Sequence, residues 1–243
     1  MTVRLARIGG YSLRVKINFG QFSLLGDAAL TISFGTEMSR ATNARVVAAA
    51  KAIRSANIPG ISDVVPAFAA LSVHFDPLVV EHSKIVEAIA GIDVFDDADM
   101  SAGRFVDIPV LYGGEAGPDL DEVTRETGLS ATGIVELHSS AEYHVYMLGF
   151  LPGFAYLGDL DEKLRLPRLK TPRTRVPAGS VAIADQTTAI YPLESPGGWR
   201  LIGRTPLRLF DHTADPPAVF AAGDRVRFRP VTAMEFARIE AGA

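Results

Sequence analysis

Cationic side chains are concentrated in the segment RLPRLKTPRTRVPAG, residues 165–179. Five of them fall between residues 165 and 175, with no acidic residue among them. The prolines of this segment disfavour a helix and predict a stiff, extended chain. Arginine binds carboxylates and phosphates through paired hydrogen bonds, so the segment could form the positively charged rim of an anion site. A solvated surface loop is the alternative. The cations are Arg165, Arg168, Lys170, Arg173 and Arg175.

An uncharged aromatic segment, MLGFLPGFAYLG, occupies residues 147–158. It combines Phe150, Phe154 and Tyr156 with three glycines and one proline. Loops are normally polar, and strands or helices rarely carry glycine and proline at this density. The segment is therefore expected either to pack as a hydrophobic plug at a barrel end or to form a pocket wall or partner surface.

A third segment, IYPLESPGGWRLIGRTPLRLFD, covers residues 190–211. It contains the only tryptophan, Trp199, which follows Ser195 and a turn expected at 196–198. A structural turn explains the glycines but does not explain a tryptophan beside glutamate, serine and arginine. Three arginines are expected on one face of the strand that follows: Arg200, Arg204 and Arg208.

Two histidines near these segments, His138 and His144, have the chemistry of acid–base groups. A histidine satisfied by hydrogen bonds within a core is the alternative for each of them.

Composition and missing motifs exclude several classes of function. The 243 residues contain no cysteine, which excludes disulfides and thiolate chemistry. There is no G-x-x-x-x-G-K-[ST] or G-x-G-x-x-G motif, and the histidines lack metal-ligand spacing, so no metal site is expected. A formal charge of −4 gives no reason to expect binding to nucleic acid. No apolar run reaches the roughly 18 residues of a membrane span, so we expect a cytoplasmic protein that does not bind membranes.

The first hundred residues alternate between strand and helix patterns. A strand is expected over 28–34, followed by a helix over 39–57 that begins at Ser39. Two tightly joined strands are expected at 61–68 and 70–77, and a second helix at 82–92. This order favours a small α+β sandwich with its helices on one face of a sheet.

The acidic segment 93–103 is expected to be a linker to a second domain. Short helices are expected over 118–128 and 130–142. The carboxylates in the first turn of the helix at 118–128 are expected to stabilise it by interacting with the helix dipole. A cation site is the alternative. A strand is expected to begin the second domain in FVDIPVLYGG, residues 105–114. From residue 143 onward, short strand patterns separated by proline and glycine predict a β-barrel or sandwich, with strands at 143–148, 180–185, 188–193, 199–205, 208–211 and 224–231.

Several motifs occur in a fixed order: YGGEAGPDL, ELHSSAEYHVYMLGFLPGFAYLG, PRLKTPRTRVPAGSV, IYPLESPGGWRLIGRTP and GDRVRF. Over residues 106–229, and more weakly over 22–92, the chain resembles the allophanate hydrolase subunit 1 family. That family includes the B-type subunit of 5-oxoprolinase and a sporulation histidine-kinase inhibitor. The resemblance implies an α+β fold with an N-terminal α/β domain of the ferredoxin-like type at 1–98. It also implies a cyclophilin-like β-barrel at 104–235.

The resemblance also implies a function that needs other subunits. The expected activity is that of a non-autonomous subunit of an ATP-dependent amide or lactam hydrolase, most specifically one opening 5-oxoproline to glutamate. ATP is expected to be shared with a partner from the subunit 2 family, and complexes of this kind include a third subunit. The alternatives are a carboxyltransferase component of the urea carboxylase type and a regulatory inhibitor of a histidine kinase.

The resemblance implies site residues in the three segments described above. It places GFLPGF at the mouth of the barrel, in a site shared with the partner, with His138 and Arg173 as the candidate catalytic residues. The implied substrate-binding residues are Phe150, Phe154, Tyr156, Arg168, Arg173, Ser195 and Trp199.

The chain departs from the family pattern in the stretch VAIADQTTAIYP. Larger or different residues stand where glycine or glutamine is usual, and each added Cβ restricts the backbone and fills space near a ligand. These replacements are typical of a divergent branch, for which urea or carboxyl-transfer chemistry is the alternative to 5-oxoproline. They are Ala182, Ala184, Asp185, Thr187 and Ala189.

Overall fold

The computed structural model describes residues 13–16, 21–96 and 103–242. The chain divides into two compact units, Met1–Ala102 and Gly103–Ala243. Each unit has its own buried hydrophobic cluster. Among the residues described, no helix is long and apolar enough to cross a membrane.

In the part that the structure describes, the N-terminal unit combines two helices with two antiparallel sheets. Strands β2, β3, β5 and β4 form one sheet in that order, and β1 pairs with β6 in the other. The elements are β1 (Leu13–Lys16), β2 (Phe22–Leu24), β3 (Ala29–Ser33), α1 (Arg40–Ser55), β4 (Ile61–Pro66), β5 (Ala70–Phe75), α2 (His82–Ala90) and β6 (Asp93–Asp96).

Helix α1 confirms the helix predicted over 39–57. The Ser39 hydroxyl accepts a hydrogen bond from the Thr42 N–H, which satisfies one of the free donors at a helix start. The apolar face of α1, including Val46 and Ile53, is buried in one cluster with alternate residues of the sheet such as Leu71 and Val73.

The expected linker at 93–103 is wrong for its first four residues. Asp93–Asp96 is strand β6, paired antiparallel with β1. The partner strand lies at the other end of the unit's sequence, so the local acidic composition gave no sign of the pairing. Residues 97–102 of the expected linker lie outside the described residues.

The C-terminal unit is built around a closed barrel with strand order β11-β12-β9-β8-β15-β7-β14. Strand β15 pairs in parallel with β7, and the other barrel ladders are antiparallel. The barrel confirms the α+β class. The elements are β7 (Phe105–Tyr112), α3 (Leu120–Thr127), α4 (Ala131–Ser140), β8 (Tyr143–Leu148), β9 (Ala155–Gly158), β10 (Arg173–Val176), β11 (Ser180–Ala184), β12 (Thr187–Ile190), β13 (Ser195–Gly197), β14 (Arg200–Arg204), β15 (Arg225–Pro230) and α5 (Ala233–Glu240).

Three details of the predicted elements differ from the structure. Residues 208–211 form no strand beyond the isolated bridge of Phe210 with Ala218, so Arg208 lies outside β14. The turn expected at 196–198 is largely strand β13, paired with β10. Helix α5 had no predicted counterpart and continues past residue 235, the expected end of the second domain.

Alternation along the barrel strands creates two apolar faces. Val181 and Ile183 of β11 and Ile190 of β12 point into the main core of the unit. Their neighbours in sequence, Ala182 and Ala189, belong to a second cluster on the opposite face of the same strands. The second cluster therefore lies on the outer wall of the barrel.

Candidate functional site

A small pocket of about 210 Å³ lies on this outer wall. Five of the residues that the resemblance implied as substrate-binding line it, whereas Arg173 and Ser195 do not. The GFLPGF segment connects β8 to β9, two neighbouring strands of the barrel, and its Phe154 belongs to the second cluster. The lining residues are Phe150, Phe154, Tyr156, Arg168, Pro172, Tyr191, Pro196, Gly197, Gly198 and Trp199.

Three small side chains pack in the same buried cluster as aromatic rings of the pocket. Ala182, Ala184 and Ala189 are almost completely buried in the cluster that holds Phe154 and Trp199. These alanines are three of the departures from the family pattern, and they pack in one cluster with the rings without lining the pocket themselves. A larger side chain at any of them would displace the rings above, since protein interiors are closely packed.

The aromatic rings hold one another edge to face around Phe154. Its ring centroid lies 5.3 Å from that of Tyr191, 5.8 Å from that of Trp199 and 5.3 Å from that of Phe150. Such pairs contribute roughly 0.5–1.5 kcal/mol beyond the area that they bury. The walls of the pocket are therefore preformed.

Phe150 is the exposed member of this aromatic group. Its φ is +72°, a left-handed conformation that costs energy in a bulky residue, and 61% of its surface is exposed. Strain of this kind is concentrated at binding and catalytic sites. The exposed ring at the pocket rim makes the aromatic segment a candidate binding surface.

Arg168 is the one charged residue in the lining of the pocket. Its guanidinium carbon lies 5.8 Å from the centre of the Trp199 ring. Burial raises the pKa of the Tyr156 hydroxyl, and the charge of Arg168 acts against that rise. The pocket consequently combines apolar walls with one positive charge, which suits a small ligand carrying a negative group.

Tyr191, which sequence reasoning did not select, contributes a buried hydroxyl. Burial raises the pKa of the Tyr191 hydroxyl, while a hydrogen bond from the backbone N–H of Trp199 and the charges of Arg168 and Arg173 act to lower it. The hydroxyl therefore stays protonated at neutral pH and can donate to a ligand. A Cβ at Gly197 would clash with it, coming within 2.8 Å of the Tyr191 Cζ. The sequence signal was the Tyr-Pro pair directly after a strand.

Arg173 lies behind the pocket and is held by an ion pair. Its Nη2 contacts the Asp119 Oδ1, and the Asp119 Oδ2 accepts a hydrogen bond of 2.7 Å from the Leu201 N–H. Asp119 is 4% exposed, so this contact joins β10, β14 and the start of α3 inside the protein. The Arg173 Nη1 and the Ser195 Oγ are buried and make no hydrogen bond to the residues described.

Two carboxylates of α3, Glu122 in its first turn and Glu126 in its last, are paired with Arg200. The Arg200 Nη1 lies 2.9 Å from the Glu126 Oε1 and 3.3 Å from the Glu122 Oε1. These carboxylates thus fasten α3 to β14. Within the described parts of the chain, no group of three or more histidine, aspartate or glutamate side chains is arranged as a metal site.

His138, one of the two candidate catalytic residues, lies inside the barrel core. Its Nε2 lies 2.9 Å from the Thr188 Oγ1, and that hydroxyl donates to the Ala182 carbonyl. The Thr188 oxygen must therefore accept from Nε2–H, which leaves Nδ1 to accept from the Tyr112 hydroxyl at 2.7 Å. Burial lowers the pKa of His138 to about 3. The ring is neutral, satisfied and absent from the pocket lining.

His144 also lies outside the pocket lining. It is buried, and its ring meets that of Tyr146 edge to face at 4.7 Å. The Thr187 hydroxyl, another family departure, donates to the Ala184 carbonyl.

Comparisons with known proteins agree with this architecture. The family model described as carboxyltransferase domain, subdomain C and D, matches residues 20–220. The chain is 40% identical over 230 residues to the B-type subunit of 5-oxoprolinase from Bacillus subtilis strain 168, covering 89% of this chain and 95% of that one. It is 41% identical over 210 residues to the B-type subunit of 5-oxoprolinase from Escherichia coli O157:H7, covering 85% and 94%.

The solved structure of TTHA0988 has a TM-score of 0.77 and 39% identity. The match covers 84% of this chain but 40% of TTHA0988, so the present chain corresponds to less than half of that longer polypeptide. Together, the family match over most of the chain and the identity to near-complete relatives show that the protein belongs to the carboxyltransferase domain family, subdomains C and D.

Proposed function

We propose that this chain is the B-type subunit of an ATP-dependent 5-oxoprolinase, a complex that opens 5-oxoproline to glutamate. The observation that carries the proposal is the aromatic pocket with one arginine, formed by the segments that the family resemblance selected. Identity to the B-type subunits of 5-oxoprolinases, over 95% of the Bacillus subtilis relative, supports it.

The pocket suits a five-membered lactam that carries a carboxylate. Its volume of about 210 Å³ lies below the roughly 300–1,000 Å³ of pockets for drug-sized ligands. Phe154 and Trp199 offer apolar faces to the ring, and Arg168 offers a guanidinium to the carboxylate. The Tyr191 hydroxyl can donate to the lactam carbonyl, which would orient the bond to be opened.

The residues of this pocket do not fit ATP. A triphosphate carries several negative charges, and Arg168 alone among the lining residues is positive. The sequence also has no glycine-rich phosphate loop. We therefore propose that partner subunits hold the nucleotide, and that this chain binds, orients and shields the organic substrate.

Partner subunits are part of the proposal. The relatives are themselves named as subunits of a larger enzyme, and the matched part of TTHA0988 is 40% of one longer chain. We propose a subunit 2 family protein as the direct partner, with the exposed Phe150 ring beside the shared site, and a third subunit for full activity.

Reconstitution tests this function. The chain would be purified alone and together with its subunit 2 and third-subunit partners, and ATP hydrolysis and glutamate formation would be followed with 5-oxoproline. Urea and allophanate would be run in parallel. Turnover of 5-oxoproline by the complex, absent for each part alone, is the expected result. Carboxylation of urea supported by carboxybiotin, without turnover of 5-oxoproline, would replace the proposal with the second candidate.

That second candidate is carboxyl transfer, favoured by the description of the matching family as a carboxyltransferase domain. It predicts that carboxybiotin, rather than ATP, supports chemistry on a small amide acceptor in the reconstituted complex.

A further inference from the structure

Arg168, the charged residue in the pocket lining, lies beside a carboxylate from outside the pocket, that of Asp185. Asp185 does not line the pocket, yet its Oδ2 lies 3.8 Å from the Arg168 Nε. Both side chains are more than 60% exposed, so the contact is loose and can exchange with solvent or a ligand.

The position of Asp185 is fixed by the hairpin between β11 and β12. Its φ is +51°, and its N–H donates to the Leu166 carbonyl at 2.8 Å. Aspartate tolerates this left-handed conformation better than most residues. The turn therefore presents a carboxylate directly beside the basic segment that carries Arg168.

Arg168 and Arg173 differ in how firmly they are held. The Arg173 guanidinium is locked to the buried Asp119 and does not line the pocket. The Arg168 guanidinium lies beside an exposed carboxylate and the face of a tryptophan. A ligand can thus recruit Arg168 by replacing Asp185, whereas Arg173 has no such freedom.

We propose that Asp185 is a specificity-determining residue, which tunes Arg168 so that the pocket accepts small singly charged carboxylates and rejects polyphosphates. The inference rests on the proposed function for its substrate class. A single carboxylate replaces Asp185 at little electrostatic cost, because one negative charge takes the place of another. A polyphosphate brings further negative charges close to Asp185 with no second cation in the lining to balance them.

Trp199, the only tryptophan of the chain, gives a direct readout of pocket binding through its fluorescence. The full chain would be titrated with 5-oxoproline, with cyclopentanecarboxylate, which lacks the lactam, and with 2-pyrrolidone, which lacks the carboxylate. Pyrophosphate would serve as the polyanion. KM for 5-oxoproline would be measured in the reconstituted complex.

The variant Asp185→Asn removes the charge and keeps a residue that tolerates the left-handed turn. It is expected to tighten carboxylate binding about two- to fourfold at low salt. Pyrophosphate binding should tighten by a larger factor, because each of its negative charges is relieved of repulsion by Asp185. Raising the salt to about 0.5 M should largely remove both gains because the groups are exposed. Binding of 2-pyrrolidone should not change.

Two further variants complete the test. Arg168→Gln should weaken both carboxylates about tenfold or more and leave 2-pyrrolidone unchanged. Glu194→Gln is the matched control, because Glu194 is an exposed carboxylate 2.7 Å from the Arg175 Nε and does not line the pocket. It should change none of the affinities.

The outcomes separate the two proposals. Carboxylate binding that depends on Arg168 and Asp185, without turnover of 5-oxoproline in the complex, would sustain the specificity role and reject the 5-oxoprolinase function. Turnover of 5-oxoproline with a KM that Asp185→Asn does not change would sustain the 5-oxoprolinase function and reject the specificity role. The specificity role is also rejected if no carboxylate perturbs Trp199, or if Glu194→Gln has the same effect as Asp185→Asn.

Discussion

At the scale of single residues, two neighbouring glycines of the pocket make a matched pair. A methyl group at Gly197 would collide with the Tyr191 ring, whereas at Gly198 it would meet Pro172 at 3.6 Å, an ordinary contact. We expect Gly197→Ala to displace the Tyr191 hydroxyl and to raise KM for 5-oxoproline about tenfold. Gly198→Ala should change KM by less than about twofold. Equal effects of the two variants would show that the position of the Tyr191 hydroxyl does not matter.

A second prediction at this scale concerns His138 and acid stability. The pKa of His138 is lowered from 6.5 to about 3 by burial, so the unfolded chain takes up a proton that the folded chain refuses. The free energy of unfolding must then fall as the pH drops from 6.5 towards 3, by at most about 1.4 kcal/mol per pH unit from this group.

The variant His138→Gln should flatten that dependence. We expect it to lower stability at pH 7.5 by about 1–3 kcal/mol through lost hydrogen bonds and ring packing, and to lose less than wild type between pH 6.5 and 4. Urea unfolding at several pH values measures both effects. An unchanged slope, or the same flattening in the exposed control His82→Gln, would contradict it.

At the scale of elements, Asp119 holds α3, β10 and β14 together. Asp119→Asn keeps an acceptor for the Leu201 N–H but leaves the Arg173 charge without its counterion. We expect a loss of about 2 kcal/mol in the free energy of unfolding, because Arg173 retains some solvent contact. Asp121→Asn, also in the first turn of α3, should cost below about 0.5 kcal/mol. Similar losses in urea unfolding for both variants would rule out a special role for the ion pair.

The elements also show what the sequence could and could not predict. Local signals were sufficient for α1, where Ser39 caps an apolar face, and for β5, whose apolar residues alternate with polar ones. Pairing between distant segments was not visible in the sequence. The Pro-Gly-Gly sequence at 196–198 predicts a turn, but its first two residues belong to β13, which pairs with β10. The same limit applies to the site. Arg168 and Arg173 share one motif, and only Asp119, distant in sequence, decides which of them is locked away.

At the scale of the whole molecule, the separate cores predict separate folding. The aromatic pocket and the barrel core draw on residues of the C-terminal unit alone. A polypeptide of residues 103–243 should therefore unfold cooperatively in urea and show the same Trp199 response to 5-oxoproline as the full chain. Gradual unfolding, or loss of that response, would mean that the pocket needs the N-terminal unit.

The parallel pairing of β7 with β15 has a consequence for synthesis on the ribosome. The barrel joins the first strand of its unit, Phe105–Tyr112, to its last, Arg225–Pro230. The N-terminal unit can complete its sheet and helices as it emerges, but the barrel has to wait for almost the entire chain to be translated. During that wait the hydrogen-bonding groups on one side of β7 have no partner, which is the condition in which nascent chains pair wrongly. Slow translation or premature termination before residue 225 should therefore direct this protein to chaperones.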